Sequence, residues 1–250
     1  MVQTEMEIDI KEDIPQTNTL IVAIPDTGLV SIITAAAIIE QQNLKEIGEV
    51  KARNLRSVIV LEEGLPKSPI RIFGSDKANI LKADIPIGRT GRIGLDFSDL
   101  VLSFAKDRYE NLFYVSGIPD SQRSTLKIDD LEIYGISTTS DYIKQIESLE
   151  NVKRFKYGAI SGTYASLIAT AASKKFPLQA YYVSAFPNFP DPLASARVVK
   201  DVINPILQLD LNIEELIEKG DQLQLQFRKL ASQTKQMLKQ SQPPTKGLYV

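Results

Sequence analysis

The chain has 250 residues, and its 29 lysines and arginines nearly cancel its 31 aspartates and glutamates. That length suits one main hydrophobic core, and the absence of any long basic block excludes phosphate neutralisation along a nucleic acid. With no histidine and no cysteine, the chain has no disulfides, thiolate nucleophiles or His-ligated metals, and it lacks the commonest general base near neutral pH.

Residues 1–16, MVQTEMEIDIKEDIPQ, are acidic and polar rather than signal-like. The richest apolar run, residues 32–39, is too short to cross a bilayer. A cytoplasmic protein with neither membrane nor nucleic acid as partner is expected.

Residues 20–24 form a short apolar run ending at the turn residues Pro25, Asp26 and Gly28, which predicts a buried strand. A helix over 29–42 follows, apolar on nearly every side, so it belongs in the core or in a subunit interface. Between residues 47 and 85, short β-rich runs around Val58 and Val60, Ile70 and Ile72, and Ile80 and Leu81 are separated by turn residues, predicting hairpin-linked strands. A glycine-rich stretch over 88–94 leads to a helix over 95–106. Further strands are predicted over 112–117, 133–136, 157–160 and 180–185, with helices over 141–150, 163–175 and 192–207. Strands alternating with three-turn helices argue for an α/β layered fold with a largely parallel or mixed sheet.

The last part of the sequence differs. Ile213, Leu216, Ile217, Leu223, Phe227, Leu230 and Leu238 recur at helical spacing over about 28 residues, roughly 40 Å of helix. Gln242-Pro243-Pro244-Thr245-Lys246-Gly247 cannot continue that helix and carries Leu248, Tyr249 and Val250 at its end. The expected division is an α/β core over 1–212, a helical segment over 213–241 and a tail over 242–250.

Few motifs carry chemistry. The glycines of 88–94 match neither a P-loop nor a dinucleotide fingerprint, so no ATP use is expected. Asp26-Thr27-Gly28 and Ser161-Gly162-Thr163 each stand where a strand turns into a helix. Gly28 and Gly162 are therefore candidate anion-binding turns, although any tight βα turn uses the same residues, and that structural use is favoured at both. Asp129 and Asp130 read as a solvated turn rather than an acid–base pair. In Pro190-Asp191-Pro192, Asp191 reads as a helix cap and Pro192 as the first helical residue. The tripeptide Leu248-Tyr249-Val250 fits an incidental end and a docking peptide equally well on physical grounds.

The sequence resembles the proteasome assembly chaperone 2 family. The resemblance rests on Leu20-Ile-Val-Ala-Ile-Pro-Asp-Thr-Gly-Leu-Val30, Glu62-Glu-Gly-Leu-Pro66, Tyr134-Gly135-Ile136-Ser137, Gly158-Ala-Ile-Ser-Gly162 and Pro190-Asp-Pro-Leu-Ala194, in the family's order from about residue 20 to residue 240. Ser31 departs from it, since the family often has a second glycine there. The resemblance implies a three-layer α/β/α sandwich similar to nucleoside phosphorylases, with a C-terminal helical extension. It also implies an archaeal-type, ATP-independent homo-oligomer that needs no cofactor or metal and has no catalytic residues. Its C-terminal hydrophobic-tyrosine-X motif, here Leu248, Tyr249 and Val250, would enter pockets between the α-subunits of the 20S proteasome core particle. The alternatives are a small-molecule binder or enzyme of the nucleoside-phosphorylase type, and an interaction protein of the same fold with another partner.

Overall fold

The structure is a computed structural model and describes residues 6–52, 58–88 and 92–218. Its centre is a nine-stranded mixed sheet in the order β1-β3-β6-β7-β2-β8-β11-β9-β10. The strands of that sheet are β1 (Met6–Ile10), β2 (Thr19–Ala23), β3 (Lys45–Ala52), β6 (Ile70–Gly74), β7 (Asn79–Ala83), β8 (Asn111–Pro119), β9 (Ile133–Ser137), β10 (Val152–Arg154) and β11 (Leu178–Ala185). The two remaining strands, β4 (Val60–Glu62) and β5 (Leu65–Lys67), form a separate hairpin. Its turn residues Glu63 and Gly64 both have positive φ, the backbone a tight two-residue hairpin demands.

Four strands, β7, β2, β8 and β11, run parallel to one another at the middle of the sheet, and antiparallel strands extend it on both sides. Parallel strands need crossovers, so helices must cover both faces. Successive residues of β2 show the result. Ile21 and Ala23 pack on the face covered by α1 (Val30–Gln41) and α5 (Pro192–Val198), while Leu20 and Val22 pack on the face covered by α2 (Arg92–Ala105) and α4 (Thr163–Ser173). Ile146 of α3 (Ser140–Ser148) joins the α1 side. The layers are helix, sheet and helix, as the resemblance implies.

The predicted helix over 192–207 is continuous but not uniform. A π-helical turn, Val199–Ile203, joins α5 to a short α6 (Asn204–Leu207). Pro205, which has no N–H to return to Asp201, falls at the start of α6 and accounts for the irregularity. Helical structure resumes at residue 213 and runs to 218, with Leu216 buried and Ile213 and Ile217 packed on the α1-side core. The rest of the predicted C-terminal helix, through residue 241, and the tail over 242–250 lie outside the described residues.

One predicted strand is absent, and the two edge strands, β1 and β10, have no predicted counterpart. Residues 157–160 are not a strand: Tyr157 is 92 % exposed and the segment pairs with nothing in the sheet. The outermost strand is instead β10, which pairs parallel with β9. The last bond to β9 runs from Phe155 N–H to Gly135 O, after which the chain leaves the edge toward α4. The sequence hides β10 because an edge strand needs little apolar surface, and here only Val152 is buried. At the opposite edge, the acidic N-terminal stretch contains β1, whose Met6, Ile8 and Ile10 alternate toward the α2-side core.

The all-round apolar character of α1 is explained by its seat between the sheet and α5. Ile38→Ala, at a fully buried position on that helix, is expected to lower unfolding free energy by about 2–5 kcal/mol in urea denaturation, whereas Ile59→Ala, at an exposed position, should change it by less than about 0.5 kcal/mol.

Candidate functional site

In α/β sheets the crevice beyond the C-terminal ends of the parallel strands is the usual ligand site. Here the ends of β2, β8 and β11 converge on the segment between β2 and α1. Gly28 has φ +68, and a Cβ on it would stand 2.9 Å from Ala185 Cβ and 3.2 Å from Asp191 Cβ. Gly117 on β8 is tighter still, since a Cβ there would lie 2.1 Å from Thr27 O. The Gly28 turn is therefore packed from above and below by protein.

Asp191 and Arg123 close the crevice. Both are almost wholly buried, with relative exposures of 0 % and 2 %. Arg123 Nε donates to Asp191 Oδ2 at 2.6 Å and Nη2 donates to Oδ1 at 2.8 Å, a two-pronged pair. The same carboxylate accepts from Ala194 N–H at the start of α5 and from Phe186 N–H at the exit of β11, both at 3.1 Å. Arg123 also donates from Nη1 to Leu126 O and stacks 4.7 Å over the Phe186 ring. Asp191 is thus the helix cap expected from the sequence and, beyond that, half of a buried ion pair. Arg123, in a polar loop 68 residues away, carried no sequence signal at all.

Asp26 sits beside this pair. Its Oδ2 accepts from Gly117 N–H at 2.8 Å and its Oδ1 from Ser31 N–H at 3.2 Å. Ser31 Oγ shares a 2.7 Å hydrogen bond with Tyr164 Oη, which also accepts from Ile24 N–H at 2.9 Å. The Tyr164 ring stacks on Tyr114 at 4.0 Å, and Tyr114 Oη bonds to Tyr182 Oη. Ser31, the departure from the family pattern, is therefore the link between Asp26 and this tyrosine cluster. Desolvation pushes the Asp26 carboxyl up to about 7 against the opposing pull of the Gly117 and Ser31 N–H groups.

The other sequence candidates are placed apart. Gly162, φ +83, precedes α4 on the opposite face from α1, and nothing lies within 4 Å of where its Cβ would be. Thr163 Oγ1 there donates to the carbonyls of Ile87 and Gly88. Asp129 lies in a 3₁₀ turn and pairs with Lys200 at 2.9 Å and Arg197 at 3.2 Å, which docks that turn on α5 and the π turn. Leu248, Tyr249 and Val250 lie outside the described residues. Among the described residues no group of three or more acidic side chains could hold a metal ion.

Comparison with known proteins gives a consistent result. The PAC2 family matches residues 20–231. A relative from Methanocaldococcus jannaschii, an uncharacterized protein, is 25 % identical over 222 residues, 89 % of each chain. The crystal structure of PbaA from Pyrococcus furiosus, an archaeal homolog of proteasome-assembly chaperone, is 25 % identical and superposes with TM-score 0.79 over 93 % of this chain and 95 % of its own. PbaB from the same organism, an archaeal proteasome activator, superposes with TM-score 0.77 over 92 % of this chain and 100 % of its own at 17 % identity, a likeness of fold.

Two outcomes follow from the buried charges. Arg123→Ala leaves Asp191 buried without its cation and should cost about 3–5 kcal/mol, whereas Arg123→Met combined with Asp191→Asn, which retains a capping oxygen, should cost less than the single change. Denaturant unfolding of the single and double variants measures this. Asp26 keeps its proton to about 7 when folded but loses it near 3.8 when unfolded. Its contribution to stability is therefore full below about pH 4 and is lost as pH rises to about 7. Asp26→Asn should remove that loss, so its stability relative to wild type should rise between pH 4 and pH 8 by on the order of 2 kcal/mol.

Proposed function

The chain belongs to the PAC2 family, and from that premise we propose that it is an ATP-independent proteasome assembly chaperone or activator. It binds α-subunits of the 20S core particle through Leu248, Tyr249 and Val250, and it acts as a homo-oligomer in the cytoplasm. The observation that carries this reading is the family match over residues 20–231, joined to the tripeptide Leu248-Tyr249-Val250 beyond it. PbaA, a homolog of proteasome-assembly chaperone, supports the chaperone half, and the fold shared with PbaB is compatible with the activator half.

The chemistry of the tripeptide suits insertion into a pocket. Leu248 supplies apolar area, Tyr249 combines ring packing with a hydroxyl, and a terminal Val250 carboxylate can pair with a pocket lysine. A single tail pays an ordering entropy and binds weakly. Several tails on one oligomer bind as a unit, because each later docking event takes place at high effective concentration. The crevice at the strand ends fits a non-catalytic role, since Arg123 and Asp191 satisfy each other there instead of facing a substrate.

Removing Leu248, Tyr249 and Val250, or changing Tyr249→Ala, should abolish binding to the proteasome α-ring by co-sedimentation while leaving circular dichroism and oligomer size unchanged. One extra residue after Val250 should be almost as harmful, because it displaces the carboxylate. Undiminished binding by the truncated chain would place the interface on the folded body and remove Tyr249 from the proposal.

A further inference from the structure

The hairpin β4–β5 is fastened to the sheet by its charges rather than by its apolar side chains. In its register Val60 stands opposite Lys67, Leu61 opposite Pro66 and Glu62 opposite Leu65. Glu62 and Lys67 therefore share one face, and Leu61 and Pro66 share the other. Arg71 Nη1 on β6 donates to Glu62 at 2.5 Å, and Lys67 donates to Glu46 on β3 at 3.3 Å. Arg71 is almost wholly buried and also donates to Asp84 at 3.1 Å. The face that carries the ions thus looks toward the sheet, and Leu61 and Pro66 look away from it. Leu61 is 69 % exposed, and Leu65, beside the turn, is 63 % exposed. A half-exposed antiparallel pair ordinarily has the reverse arrangement, apolar in and charged out, and the inversion leaves an apolar surface to be covered. At the tip Glu63 is exposed and makes no ion pair with another described residue.

A complementary surface lies at the far edge of the sheet. After β10 the chain runs Phe155-Lys156-Tyr157, and Tyr157 is the most exposed large apolar side chain among the described residues. The adjacent cations Lys153 and Arg154 are engaged by Glu132 and Glu147. Lys156 is exposed and makes no ion pair with another described residue. Each surface therefore offers apolar area beside one unmatched charge, and the two charges are opposite. Within one chain they cannot meet, because β6 and β10 are six strand spacings apart in the sheet, roughly 29 Å. Nor do two hairpins suit each other: Lys67, the only cation on the hairpin, is taken by Glu46, so Glu63 would stay unmatched.

We propose that the occupant is a second copy of this chain, docked head to tail. Leu61, Leu65 and Pro66 of one copy receive Tyr157 of the next, and Glu63 pairs with Lys156. Each copy uses two different surfaces, so the contact is heterologous and propagates until it closes into a ring. The inference rests on the homo-oligomer proposed above and adds which surfaces join, without involving Leu248, Tyr249 or Val250.

The test is size-exclusion chromatography with light scattering on the full chain at micromolar concentration. Leu61→Asp and Tyr157→Asp lie at exposed positions, so circular dichroism should not change, and each should weaken self-association about tenfold or more. Leu61→Asp keeps an intact Tyr157 surface and Tyr157→Asp keeps an intact hairpin. An equimolar mixture of the two variants should therefore give a 1:1 dimer and nothing larger, which a contact between like surfaces cannot produce. Glu63→Lys should weaken association severalfold, and adding Lys156→Glu in the same chain should restore it. A monomeric wild-type chain would overturn this inference together with the homo-oligomer reading. A wild-type oligomer whose mass is unchanged by both aspartate variants would overturn the docking contact alone. So would a mixture that stays monomeric, or a charge exchange that restores nothing.

Discussion

The Asp191 carboxylate ties together chain segments that the sequence keeps far apart. Through Arg123 it holds the loop after β8, through Phe186 N–H the exit of β11, and through Ala194 N–H the start of α5. Its own N–H donates to Gly28 O at 2.7 Å, which adds the turn after β2. Three parallel strands therefore end at one buried ion, and the helix that follows begins there. A buried charge pair contributes little net stability over an apolar substitute, but it tolerates no loss of one partner. The constraint spreads outward: Gly28 must lack a side chain because Asp191 and Ala185 are already in place, and Gly117 must lack one because Thr27 O is.

The residues that could be read from the sequence are those whose local environment is the whole story. Leu20, Ile21, Val22 and Ala23 are buried on both faces, so the strand shows as an uninterrupted apolar run whatever surrounds it. Asp191 before Pro192 shows as a cap because capping involves only the next few residues. What stayed hidden depends on distant partners. Arg123 looks like any loop arginine until Asp191 is folded over it. Strand β10, with one buried residue in three, is a strand only because β9 offers it an open edge. The segment 157–160 has the opposite history, with strand-like composition in Tyr157 and Ile160 but no pairing with the sheet. Asn111 is an ordinary strand-end residue in sequence, and only the packed structure shows its amide left half-paired.

This contrast separates the two ends of the sheet. At the C-terminal ends of the parallel strands, where α/β proteins most often hold ligands, polar groups satisfy one another: Arg123 with Asp191, Asp26 with two N–H groups, and Ser31 with Tyr164. Shared fold with PbaA and PbaB does not determine what that end does, since function resides in particular groups rather than in the architecture. The groups here are engaged with one another. At the N-terminal ends the balance reverses, and among the described residues the side-chain oxygens of Asn79 and Asn111 are buried without a hydrogen-bond partner.

The tail contact proposed above also depends on how firmly the start of the C-terminal segment is held on the core. Residues 209–216 are fastened to the end of α1. Gln42 Nε2 donates to Leu209 O at 2.7 Å, Gln41 Nε2 donates to Asn212 O at 3.2 Å, and Gln41 Oε1 accepts from Asn212 N–H at 2.7 Å. Asn204 closes the same segment from the other side through both the N–H and the carbonyl of Leu211. Leu209, Leu211 and Leu216 are buried in the α1-side core. The start of the C-terminal segment therefore has a fixed position and direction on the body. Effective concentration at a second docking site depends on the span from such an anchor, so under the proposed tail contact loosening Gln41, Gln42 or Asn204 would weaken multivalent binding without touching Leu248, Tyr249 or Val250.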